Sequence, residues 1–138
     1  MATRKHAAAK RRTGRPTAEV REVRKNLHCW NDWSDEYQRR HGSGLTRNPC
    51  AWGVWRIAED ELRVLGDVRG RDVLEYGSGA AQWSIALAAQ GARAVALDLS
   101  DGQLAHARRL MQAAGVRLPL VQAHGEFLPF APASFDVV

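Results

Sequence analysis

Residues 73–84 read VLEYGSGAAQWS. A short apolar run ends at Glu75 and Tyr76, two glycines follow one residue apart, and an alanine-rich stretch comes next. The pattern predicts a buried strand over DVLEY (72–76), a tight turn, and a helix over WSIALAAQ (83–90) closed by Gly91. Gly77 permits the turn, and Gly79 lets a ligand approach the backbone with no Cβ in the way. The free N–H groups that open the helix favour a negative ligand group.

The alternation continues downstream. ARAVALDL (92–99) reads as a second buried strand, and Ser100 caps a helix over DGQLAHARRLMQAAG. Gln103 stands where a capping box places its partner, Leu104, Ala107, Met111 and Ala114 form the inner face, and Gly115 stops the helix. RLPLVQA (117–123) is a third strand, weakened at its start by Pro119. GEFLPFAPAS is loop, and FDVV (135–138) begins a fourth strand with Asp136 in a structural role. Strand and helix in alternation predict an α/β fold, a Rossmann-like doubly wound parallel sheet whose ligands bind beyond the strands' carboxyl ends.

Upstream, Val20, Val23, Leu27, Trp30, Ser34 and Tyr37 recur at spacings of three and four, predicting a helix over 18–40 with Thr17 as cap and Gly42 past its end. Trp33 falls off this stripe. HGSGLTRNP (41–49) is turn chemistry, and 51–66 predicts a second helix with Trp55, Ala58, Leu62 and Leu65 on one face and Gly66 at its end. Three regions result: a disordered basic tail at 1–17, an N-terminal helical region at 18–66, and the ligand-binding α/β domain at 67–138.

Composition sets the class. The chain has 138 residues, 45% hydrophobic and 25% charged, which suits one globular domain. No stretch is long and apolar enough for a membrane helix, no secretory signal is present, and two cysteines, Cys29 and Cys50, give neither a disulfide framework nor a metal site. A reducing, cytoplasmic setting is expected. The net charge of +5 is a property of the tail: residues 1–25 carry nine Lys/Arg against two Glu, and the remainder is slightly acidic. A nucleic-acid partner would therefore rest on the tail alone.

Asp98 ends the second strand 21 residues after Gly77, where a carboxylate can accept hydrogen bonds from both hydroxyls of a ribose. The bland alternative is a glycine turn made for packing, with Asp98 as a solvated strand end. The dinucleotide fingerprint places a third glycine where this chain has Gln82. Glu75 beside the loop would repel a pyrophosphate and suits a cationic group, an ammonium or a sulfonium. Its alternative role is to cap the loop that follows.

VLEYGSGAAQWSIALAAQGARAVALDLS (73–100) and QAHGEFLPFAPASFDVV (122–138) together resemble the class I S-adenosylmethionine-dependent methyltransferases of the metabolite or small-molecule type. WNDWSDEYQRRHG (30–42) is similar to the N-terminal helix region of some members. The resemblance implies S-adenosyl-L-methionine as cofactor and a small-molecule methyl acceptor. It implies that Glu75, Gly77 and Gly79, with Ser78 between them, line the methionine part, that Asp98 holds the ribose, and that Leu99 packs on the adenine. His124 stands where an acid commonly meets the adenine amino group, and Gly125 offers its backbone N–H. Tyr37 and Trp33 are expected either to close over the cofactor or to pack in the core. Glu126 reads as a loop-bracing acid and His106 as a surface residue, and no catalytic residue is assigned. The implied fold has seven strands and the sequence holds about four, so a fragment, inactive by itself, is expected. A nucleotide-dependent oxidoreductase, opposed by Glu75 and Gln82, and a nucleic-acid-associated methyltransferase using the tail are the alternatives.

Overall fold

In a computed structural model, residues 18–138 are described; the basic segment at 1–17, with its expected disorder and the Thr17 cap, lies outside them. The elements run α1 (Ala18–Arg47), β1 (Ala51–Trp52), β2 (Ile57–Ala58), α2 (Glu59–Leu62), β3 (Asp72–Tyr76), α3 (Gln82–Ala89), β4 (Arg93–Asp98), α4 (Asp101–Ala114) and β5 (Leu120–Gln122). β3, β4 and β5 form a parallel sheet in that order, with Tyr76 opposite Leu97 and Asp98 opposite Gln122. This is the expected Rossmann-like α/β arrangement. The fourth strand is reduced to a single parallel bridge between Val73 and Val137, reinforced where Asp136 accepts a hydrogen bond from the Asp72 amide at 2.8 Å.

Two small apolar clusters hold the sheet. Val68, Val73, Leu87 and Ala92 pack together on one side of β3, against Leu65, Trp83 and Val137. Ala81, Ala96 and Ala107 meet between the glycine loop, β4 and α4, where small side chains let these elements approach closely.

α3 has no capping side chain on its N-cap residue Ala81. Glu75 supplies one from the neighbouring strand: its Oε2 accepts from the Ser84 amide at 2.8 Å and from Ser84 Oγ at 2.6 Å. Burial pushes this carboxyl up to about 7, opposed by the Ser84 hydrogen bonds and aided by the charge on Asp98.

The second helix expected at 51–66 is cut down to the four residues of α2 (Glu59–Leu62), and a hairpin takes the place of its first half. β1 and β2 pair antiparallel, Ala51 with Ala58 and Trp52 with Ile57, around a turn in which Gly53 and Arg56 both take positive φ. Arg56 ties this turn back by donating to the carbonyls of Gly44 and Asn48. The periodicity misleads because Trp55, on the expected inner face, stands 83% exposed at the tip, whereas Trp52 is the half-buried residue, in tilted ring contact with Trp83 and donating to Glu59. α1 also runs past Gly42, through the expected turn, to Arg47. Two glycines inside a helix cost about 1 kcal/mol each, and Pro49 rather than Gly42 marks where the helical path ends.

α1 docks on α4 through polar groups rather than an apolar stripe. Asn31 Oδ1 accepts from Ser100 Oγ at 2.6 Å and from the Gly102 amide at 3.3 Å. Ser34 is buried at this crossing and donates to the Asn31 carbonyl. Ser100 caps α4 as expected by accepting from the Gln103 amide, but the Gln103 side chain does not complete the box; it accepts from Gln38 of α1 at 2.8 Å. His106, read as a surface residue, instead faces Asp35 of α1 across 2.7 Å and is largely covered.

Two outcomes test this packing. A Cβ at residue 102 would lie 2.6 Å from Ser34 Oγ, so Gly102→Val is expected to destabilise the chain by about 2 kcal/mol in urea unfolding, with part of the loss recovered by adding Ser34→Gly. Glu75, with its folded pKa raised from 4.5 to about 7, holds its proton more tightly when folded. Its contribution is therefore fully present below pH 4.5 and is lost as pH rises through 7. Stability measured from pH 4.5 to 7.5 is expected to fall by about 3 kcal/mol in the wild type, and Glu75→Gln is expected to remove most of that slope.

Candidate functional site

The carboxyl ends of the three parallel strands open into one cleft of about 400 Å3. β3 delivers Tyr76, Gly77 and Gly79; β4 delivers Leu97, Asp98 and Leu99; the turn after β5 delivers Ala123, His124, Gly125 and Glu126. α1 lies along the opening and contributes Asn26, Trp30 and Tyr37, and α4 contributes Gln103.

Asp98 is the hub. One carboxylate oxygen accepts from the Gly79 amide at 2.7 Å and the other from the Ser100 amide at 2.8 Å. The glycine loop is thus fastened to the start of α4. Each oxygen retains a further lone pair toward the cleft. Gly77 and Gly79 take φ of +68° and +54°, a region closed to most side chains, and a Cβ on Gly77 would enter open space. The amide of Ser78 donates to the Leu97 carbonyl, while its buried Oγ has no partner among the described residues.

Of the nine residues singled out from sequence, seven meet in this cleft: Tyr37, Gly77, Gly79, Asp98, Leu99, His124 and Gly125. Glu75 and Ser78 do not form its wall. Glu75 is turned to Ser84 as the cap of α3, the alternative role open to it, and borders a separate apolar groove with Trp52 and Trp83. Trp33 is 62% exposed and outside the cleft, and Trp30 occupies the place beside Tyr37, in edge-to-face contact at 5.9 Å. Trp30 was on the same helical stripe as Tyr37, so the signal for it was present. The sequence pattern marks Gln103 only as a cap partner and Tyr76 only as a strand residue. Gln103 also belongs to an amide chain, Gln82 to Gln38 to Gln103, that joins α3, α1 and α4 behind the glycine loop.

The charges on the wall are one-sided. Asp98 and Glu126 are its acids, and no Lys or Arg lines it among the described residues. Such a wall suits a cationic or neutral ligand and offers no counter-charge to a pyrophosphate.

Comparison with known proteins agrees with this geometry. The family model described as "Methyltransferase domain" matches residues 73–138. A demethylmenaquinone methyltransferase from Clavibacter sepedonicus is 40% identical over 85 residues, covering 62% of this chain and 34% of that protein. A solved structure described as a DhpI-SAH complex is 27% identical with a TM-score of 0.52, over 73% of this chain and 44% of the other. A phosphoethanolamine N-methyltransferase from Haemonchus contortus, solved with phosphoethanolamine and S-adenosylhomocysteine, shares the fold at a TM-score of 0.62 and 19% identity, over 88% of this chain and 26% of that one. The chain spans between about a third and a half of the length of the curated relatives it matches. Residues 73–138 therefore match the methyltransferase-domain family, and the chain carries the class I methyltransferase fold.

Proposed function

We propose that this chain is the cofactor-holding part of an enzyme that transfers a methyl group from S-adenosyl-L-methionine to a small organic acceptor. The observation that carries the reading is the cleft wall itself: two glycines without Cβ atoms beside a strand-end carboxylate, with acids and, among the described residues, no Lys or Arg around them. The residues fit a sulfonium-bearing nucleoside. Asp98 has lone pairs for the ribose hydroxyls, and the glycine loop leaves room for the amino-acid part. Bound there, S-adenosylmethionine supplies an electrophilic methyl carbon on its sulfonium.

The chain's own residues would bind and orient. On this reading the glycine loop would meet the methionine part, Asp98 the ribose, and Leu99 with the turn at 123–126 the base, an order along the cleft that the strand order β3-β4-β5 supports. Trp30 and Tyr37 of α1 would cover the opening and exclude water. The small acceptor is favoured by relatives named demethylmenaquinone methyltransferase. The division into a tail at 1–17, an N-terminal helical region and an α/β cofactor domain from 67 is part of the same reading. So is a cytoplasmic setting, favoured by free thiols at Cys29 and Cys50 and by the lack, among the described residues, of a helix long and apolar enough to cross a membrane.

Isothermal titration with S-adenosylhomocysteine and, separately, NADH tests the cofactor class. Heat of binding is expected with S-adenosylhomocysteine alone, and binding to NADH alone would overturn the reading in favour of an oxidoreductase. Asp98→Ala is expected to weaken S-adenosylhomocysteine binding by about 1–3 kcal/mol through loss of charge-assisted hydrogen bonds. An unchanged affinity would remove Asp98 from the ribose site.

A further inference from the structure

Tyr76 interrupts the glycine-loop motif with a large side chain. It ends β3, is 53% exposed, and lines the cleft beside Gly77. Its phenol reaches over to the turn after β5 and stops against Gly125: a Cβ on residue 125 would overlap the Tyr76 hydroxyl and Cζ, and would lie 2.9 Å from Cε2. Glycine at 125 is what allows the ring to lie there. The hydroxyl has no partner among the described residues.

His124, the neighbouring side chain on this wall, is already committed. Its Nδ1 accepts from the Glu126 amide at 3.3 Å. The neutral ring therefore carries its proton on Nε2, so that nitrogen donates and cannot accept. An adenine presents an exocyclic amino group, which is a donor and needs an acceptor. At the base end of the cleft the imidazole supplies none.

We propose that the Tyr76 hydroxyl accepts the hydrogen bond from the exocyclic amino group of the bound nucleoside, with Gly125 as the steric partner that admits it, so that Tyr76 sets the preference for a 6-amino purine. The proposal rests on the cofactor reading given above. It joins two positions far apart in sequence: the residue before the first glycine of the loop and the glycine after β5. A tyrosine at one of them requires glycine at the other.

The test uses the whole chain and two nucleosides, adenosine and purine riboside, which differ only in that amino group. Isothermal titration of the wild type is expected to show tighter binding of adenosine. Tyr76→Phe keeps the ring and removes the acceptor; it is expected to weaken adenosine about three- to tenfold, the worth of one such hydrogen bond, and to leave purine riboside unchanged. Gly125→Ala keeps the hydroxyl but displaces it and is expected to erase the same preference. Persistence of the adenosine preference in Tyr76→Phe overturns the proposal, as does its loss in Glu126→Gln with Tyr76→Phe unaffected. S-adenosylhomocysteine binding by the wild type with either of those results removes the Tyr76 assignment alone. Absence of S-adenosylhomocysteine binding removes the cofactor reading and this proposal with it.

Discussion

The Asp98 carboxylate is the point on which the arrangement turns. It ends β4, receives the Gly79 amide on one oxygen and the Ser100 amide on the other, and so joins the glycine loop to the start of α4. Ser100 in turn caps α4 and donates to Asn31 of α1. One half-buried strand end therefore positions the loop, the helix behind it and the long N-terminal helix that lies along the cleft. The small-residue contacts of Ala81, Ala96 and Ala107 permit this closeness, because any larger side chain would push the loop away from β4.

A second carboxylate works by a different route. Glu75 is one strand away and largely covered, and it is spent on the open end of α3. The two acids are near enough for the charge on Asp98 to raise the Glu75 pKa. Their environments separate their roles: Asp98 remains at the cleft wall with lone pairs to spare, while Glu75 braces the helix that follows the glycines. The acidic character of the motif is in this sense partly architectural. It still bears on the ligand, because a site with carboxylates on and behind its wall is poorly suited to phosphate groups.

Much of this was legible in the sequence because the signals were local. Residues 72–114 gave strand, glycine turn, helix, strand, cap and helix in the order observed, and Asp98 was identified from its distance to Gly77. The misreadings lie where tertiary contacts overrule local pattern. Trp52 and Trp55 both fit an amphipathic helix, but Trp52 found Trp83 and Glu59, and a hairpin with positive φ at Gly53 and Arg56 resulted. Gly42 looked like a helix end and is helix interior. The docking of α1 was hidden because it uses Asn31 and Gln38, which a search for apolar stripes passes over, together with Ser34, a polar residue on the stripe itself. His106 was misjudged for the same reason, since its partner Asp35 is 71 positions away. The contact of Tyr76 with Gly125 could not be seen without knowing that β3 and the turn after β5 face each other across β4.

The central claim is that the three strand ends form a nucleoside cleft in which the glycine loop, Asp98 and the turn at 123–126 act together. An amide-resolved NMR titration of the chain with S-adenosylhomocysteine tests it most directly. Shifts concentrated at Gly77, Gly79, Leu99 and Gly125, saturating together with one affinity, are the expected result. Saturable shifts confined to another surface, such as the groove between Trp52 and Trp83, or no shifts at millimolar ligand, would contradict it.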